Sequence, residues 1–223
     1  MKKLFCSDGP LVRFFSKVRD LVLLSLCWFV CCLPVITVGA STAAMCCVAF
    51  RLHRGEEESV LKGFFKAFAA KFKLGTLCWI SLAAAAAVFY CIPNLAAMFG
   101  VQLLIAGAVA LTFALYLLTW LVLACIFPLT AYFDNTLKKT VKNALFIAVR
   151  HRKQSVGSAL FLAIPLFVFL LDPMICAYAC GVWILILPGV WAYLTAGWFG
   201  PIFEEYAIRN KEKQEEEMQD EAF

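Results

Sequence analysis

Ionisable residues are missing from the long apolar stretches of this chain. No Asp, Glu, Lys, Arg or His falls within positions 75–133, 156–171 or 173–203. Such groups are costly at membrane depth and mark ion pathways and proton relays, so their absence argues against an ion-coupled transporter. Charge is scarce overall, at 16% of 223 residues, where soluble domains carry about 25%. Histidine occurs twice, as His53 and His151, both in basic segments, so no His/Cys metal site is expected. The chain lacks a Walker A loop, a G-x-S-x-G, an H-E-x-x-H and paired carboxylates inside an apolar run. We expect no enzyme, no catalytic residue, no metal and no cofactor.

What is there is hydrophobic surface, at 63% of residues. A soluble domain sits near 45–50% apolar, so the excess must face lipid. The 11 cysteines do not form a disulfide framework on this reading. All but Cys6 lie in or beside apolar runs and none makes a C-x-x-C pair, which suits small hydrophobes packed between helices. The formal charge of +5 is uneven: residues 204–221 carry net −5 and the rest +10. The positive charge flanks apolar segments, where membrane topology rather than nucleic acid explains it.

The organising stretch is residues 21–50, thirty positions without charge. As one helix it would run about 45 Å, against a hydrocarbon core of about 30 Å. Pro34 removes a backbone donor, and Gly39 followed by Ser41 and Thr42 marks a break and a fresh helix start. The expected form is a broken membrane hairpin, its turn packed against other helices because unsatisfied backbone at membrane depth must be covered. Val38-Gly39-Ala40 loosely fits a signal cleavage site, but the apolar run continues past it, so no cleavage is expected. Four transmembrane segments follow, at 75–92, 101–127, 156–171 and 175–199, with Pro128 ending the second and Gly200-Pro201 closing the fourth. Pro188-Gly189 should kink the last.

Two basic amphipathic helices link these pieces. In 51–73, Leu61, Phe64, Phe65, Phe68 and Phe72 share a face and Lys62, Lys66, Lys71 and Lys73 lie off it, the pattern of a helix lying in the interface. In 134–153, Leu137, Val141, Ala144 and Ala148 form the stripe, Phe146 falls outside it as though buried on a second side, and Asp134-Asn135 supplies the N-cap. Lys and Arg are absent from 93–100 and 172–174 and abundant in 1–20, 51–74 and 128–155. The positive-inside rule then puts the C-terminus, and both ends of 21–50, in the cytoplasm; the alternative is a single crossing by 21–50, which places Met1–Asp20 outside. The fold expected is an all-α polytopic membrane protein, one domain over 1–203 and a charged cytoplasmic tail over 204–223, helical at first and then disordered.

Two stretches carry a family resemblance: DGPLVRFFSKVRDLVLLSLCWFVCCLPVITVGAST at the N-terminus and FPLTAYFDNTLKKTVKNALFIAVRH in the centre. They resemble the YesL-like membrane proteins, a bacterial family of unknown function, chiefly from Firmicutes. The Leu-Pro-x-x-Thr-x-Gly-Ala-Ser-Thr motif of residues 33–42 is the specific part. Ser25 and Arg152-Lys153 depart from the family pattern, which has Asn and Leu-Pro at those places. The resemblance implies a companion of carbohydrate uptake systems of the binding-protein-dependent type.

Two functions follow as expectations. The first is a non-enzymatic accessory protein bound to a sugar importer or another membrane protein, with Phe64, Phe65, Phe68, Asp134 and Asn135 as contact residues. The second is a small permease or channel with a polar cavity at the break, walled by Pro34, Thr37, Gly39, Ser41 and Thr42. A blander role for the last four is close helix packing. The tryptophans suit anchoring or core packing better than sugar stacking. The partners expected are the lipid bilayer and a membrane protein complex, not nucleic acid, in the cell membrane.

Overall fold

The computed structural model describes residues 10–56, 59–98, 102–133, 136–171 and 173–220. All its regular elements are helices: α1 Pro10–Cys32, α2 Val38–Arg54, α3 Val60–Ala97, α4 Gln102–Tyr132, α5 Leu137–Arg150, α6 Arg152–Leu171 and α7 Pro173–Asp220, with a 3-10 turn at Val35–Thr37 between the first two. No strand occurs among the described residues. Four helical stretches among those residues are long and apolar enough to cross a membrane: Val35–Arg54, Val60–Ala97, Gln102–Tyr132 and Ile184–Ile208. Three of them overlap the expected segments at 75–92, 101–127 and 175–199, and the fourth is the stretch after the break; the expected segment at 156–171 lies in α6.

The break falls where Pro34 requires it, since the residue before a proline avoids helical backbone. α1 stops at Cys32 and the chain restarts through the 3-10 turn. Of the turn expected to pack inside the bundle, the Gly39 end does so, against α3, and the tip does not. Leu33, Val35 and Ile36 are 70%, 69% and 63% exposed. Its backbone is satisfied locally instead. The Thr37 N–H donates to Pro34 O at 3.0 Å, and the Thr37 hydroxyl lies 2.6 Å from Cys31 O and 2.7 Å from Pro34 O. One threonine thus covers carbonyls that would otherwise need another helix. α2 ends at Gly55, whose φ of 75° is the left-handed cap that glycine adopts without a Cβ penalty. Arg51, His53 and Arg54 occupy its last turn, where positive charge complements the helix dipole.

After Pro34, the prolines of the later helices do not end them. α3 continues past Pro93, α4 past Pro128 to Tyr132, and α7 past both Pro188 and Pro201. In lipid the freed backbone groups find other partners, and a broken helix would expose more of them. The basic helix expected at 51–73 is therefore not a separate element. It is the first part of α3, whose 38 residues span about 57 Å. The apolar stripe is divided: Phe64 is buried with Val60, Gly63, Ala67 and Lys71, while Leu61 and Phe65 are exposed. Lys71, expected off the stripe, lies on the packed side. In α5 the buried positions are Thr140, Ala144, Ile147 and Ala148. Phe146 is 54% exposed, contrary to its expected second burial, and meets only an edge of Tyr206 at 6.4 Å. Thr136 takes the N-cap position of α5; Asp134 and Asn135 lie outside the described residues. α7 continues as helix from the last span to Asp220, where disorder was expected for the distal tail.

The core gathers around α2. Residues 39–46 are buried without exception, and α2 packs against α1, α3, α4 and α7.

Candidate functional site

Small residues set the closest approach in the bundle. A Cβ at Gly39 would sit 2.2 Å from Gly75 O and 2.6 Å from Trp79 Cβ, and one at Gly75 would sit 2.8 Å from Ala40 Cα. α2 and α3 therefore touch backbone to backbone. Without a hydrophobic drive between helices in lipid, contact of this kind is what holds them together. A second approach joins α1 to α7. The Gly189 N–H donates to Ser25 Oγ at 2.9 Å, and that hydroxyl donates to Leu21 O at 3.0 Å. A Cβ at Gly189 would lie 2.5 Å from Leu21 O. The proline at 188 and the serine at 25 thus belong to one junction, which the sequence pattern gives only as a kink.

Beside the break lies a cavity of about 410 Å³. α1 and α3 contribute Trp28 and Trp79. α2 contributes Val38, Thr42 and Met45, and α4 contributes Leu123 and Phe127. The far wall is Phe161 and Leu162 of α6, with Ile184, Leu187, Pro188 and Trp191 of α7. Three of the four polar side chains at this wall are engaged. Trp28 Nε1 donates to Thr42 Oγ1 at 3.0 Å, Thr42 Oγ1 donates to Val38 O at 2.7 Å, and Trp191 Nε1 donates to Ser158 Oγ at 3.1 Å.

Of the residues expected to wall a polar cavity, Thr42 alone reaches it. Ser41 turns its hydroxyl to Trp28 O at 3.0 Å, Thr37 caps the turn, Gly39 faces Gly75, and Pro34 is exposed. The cavity is therefore apolar and aromatic. Its three tryptophans are legible in sequence only as packing or anchoring groups, because their convergence needs three helices in place. Among the expected contact residues, Phe64 is fully buried, stacked on Phe68 at 6.3 Å and edge-on to Phe65 at 5.7 Å. Phe65 presents the exposed ring of this group, at 55%.

A polar ring closes one end of the bundle. Lys17 Nζ donates to Tyr193 Oη at 3.3 Å, and the His53 ring meets the same Tyr193 ring at 5.2 Å. The start of α1 and the end of α2 therefore meet at one residue of α7. Next to them, Arg54 donates to Tyr132 Oη at 2.8 Å and to Glu204 Oε1 at 3.2 Å, with its guanidinium 5.1 Å from the Tyr132 ring centre. Phe50, Phe133 and Phe203 pack around Tyr132 at centroid distances of 4.9–5.6 Å. Among the described residues no group of three His, Cys, Asp or Glu side chains is placed to hold a metal.

The model of a family described as "Protein of unknown function, DUF624" matches residues 21–91. This span holds both sides of the Gly39–Gly75 crossing, the break and the Trp28–Thr42 pair; the cavity walls from α4, α6 and α7 lie beyond it. The match is consistent with the YesL-like resemblance. No curated protein and no solved structure matches the chain.

Proposed function

We propose that the chain is a non-enzymatic, multi-pass accessory protein of the cell membrane that acts by binding another membrane assembly. The observation that carries this reading is the character of the interior. A passage for a sugar or an ion needs free hydrogen-bonding groups to replace water along its route, because unpaired polar groups are penalised in an apolar site. The cavity beside the break offers little: three of its four hydroxyl and indole groups are spent on one another, on Ser158 and on backbone. This speaks against a permease built on the Pro34 to Gly39 break. The YesL-like resemblance supplies the partner class, a carbohydrate importer. Its contact surface is the exposed Leu61, Phe65 and Phe72 edge of α3 together with the acidic end of α7.

In the same reading, residues 21–50 form a re-entrant hairpin with both ends cytoplasmic. Lys17 and His53 at one tyrosine support it, as does a tip that is apolar and internally capped. The C-terminus is then cytoplasmic too. Impermeant thiol labelling on intact cells, mapped by peptide mass, is expected to spare Cys6; modification of Cys6 overturns the hairpin.

The central test is co-purification. The chain is tagged at its C-terminus and native membranes are solubilised in mild detergent. Stoichiometric recovery of importer permease or ATPase subunits is expected, and Phe65→Glu should abolish it. Repeated recovery of the chain alone at native expression overturns the accessory role.

A further inference from the structure

We propose that the cavity between α1, α2, α3, α4, α6 and α7 holds one acyl chain of a membrane phospholipid. Its size fits a ligand rather than a packing flaw. At about 410 Å³ it exceeds by more than twofold the roughly 150 Å³ apolar void that takes up benzene, and it falls in the range of about 300–1,000 Å³ typical of small-molecule sites. Its chemistry restricts what can enter. A buried water needs two to four polar partners, and a headgroup, a sugar or a sterol hydroxyl needs at least one. With Trp28, Thr42 and Trp191 already paired, and with the Trp79 indole N–H the one other polar side-chain group of the lining, a hydrocarbon chain lies against these walls at the least desolvation cost.

The surroundings then name the source. Four of the six helices that frame the cavity, α2, α3, α4 and α7, carry stretches long and apolar enough to lie in a bilayer, where phospholipid chains are the medium. An apolar void there gains nothing from expelling water. Its lining atoms simply lack partners on one side and forfeit dispersion contacts. A chain sliding in restores them, while its headgroup stays at the interface and asks nothing of the cavity. Several wall residues, Leu123, Leu162 and Leu187 among them, are half-buried rather than sealed, which is what lateral entry requires. The inference rests on this cavity and not on the accessory role, and it holds whether or not a protein partner exists.

The test uses the full chain alone in vesicles of phosphatidylcholine whose acyl chain carries a diazirine. Light expels dinitrogen and the carbene inserts into a neighbouring C–H bond. Leu117 and Leu118, exposed on the outer face of α4, should be labelled as any lipid-facing residue is. Occupancy adds adducts at Leu123, Leu162 and Leu187. A cavity-filling Leu187→Phe should abolish those at Leu123 and Leu162 and leave Leu117 unchanged; Leu162→Phe, read at Leu123 and Leu187, serves if the first variant does not fold. Adducts confined to Leu117 and Leu118 overturn the proposal. So does cavity labelling that survives filling, or labelling obtained from a diazirine fatty acid but not from the phospholipid. No other protein is present, so failure here leaves the co-purification outcome untouched.

Discussion

α2 and the outer part of α3 have nearly the same hydropathy and opposite surroundings. Their most apolar windows average 1.7 and 1.9, yet 61% of the first is buried inside the protein and 11% of the second. Hydropathy therefore does not separate core from lipid face in this molecule; residue size does. α2 brings Gly39, Ala40, Ser41, Thr42, Ala43 and Ala44 into contact with its neighbours, and each of them lets a backbone come close. α3 beyond Cys78 turns Ile80, Val88 and Tyr90 outward, where bulk meets only hydrocarbon. The polyalanine run at 83–87 shows that small residues alone are insufficient: its members are exposed or half-buried, and α4 meets it through a large side chain, Tyr116, whose hydroxyl donates to Ala86 O at 3.0 Å.

Substitution at glycine is the sharpest way to break this contrast. Gly39→Val places a branched side chain where even a Cβ would lie 2.2 Å from Gly75 O. The α2–α3 crossing must open, and we expect a loss of about 3 kcal/mol or more, read as a lowered unfolding midpoint in detergent. Gly189→Ala meets Leu21 O at 2.5 Å and Ser25 Oγ at 2.7 Å. A loss of about 2 kcal/mol is expected from the same overpacking, with α1 rather than α3 released first in proteolysis. Ser25→Ala leaves the space but deletes the acceptor for the Gly189 N–H. It should cost about 1 kcal/mol, within the range of hydrogen bonds between membrane helices, measured by the same denaturation. Gly107→Ala completes the series. Nothing lies within 4 Å of its added carbon, so the smaller backbone entropy of alanine should raise stability by about 0.5 kcal/mol. A destabilisation at Gly107 comparable to that at Gly39 would show that the outer face of α4 is an interface and not a lipid surface.

The parts of the fold legible in sequence are those set by local chemistry. The helix break needs only Pro34 and the small residues after it. The apolar segments need only their composition. The Gly39 to Thr42 patch was legible as close packing, and Gly39 is used that way. What the sequence pattern misread depends on tertiary context. Pro93, Pro128 and Pro201 look like helix ends by rules drawn from water, where a freed carbonyl finds solvent; in lipid the helix continues. Aromatic periodicity marks one stripe on α3, but which of its rings a neighbouring helix covers depends on tertiary context: Phe64 is buried beside Val60, Gly63 and Ala67, while Leu61 and Phe65 stay outside. The cavity was invisible for the same reason. Trp28, Trp79 and Trp191 are far apart in sequence, and nothing local distinguishes them from Trp120, whose indole N–H caps Ala159 O on a half-open surface.

The bond between Ser25 and Gly189 joins residues 164 positions apart, and that separation is also an interval of time. At synthesis rates of about 5–20 residues per second, roughly 8–30 s pass between the emergence of the donor's partner and of the donor. Throughout that interval Ser25 already has its own acceptor, the Leu21 carbonyl one turn back. The nascent α1 can wait in the membrane with its hydroxyl occupied, and the arrival of α7 adds a donor to that hydroxyl without displacing the bond it already makes.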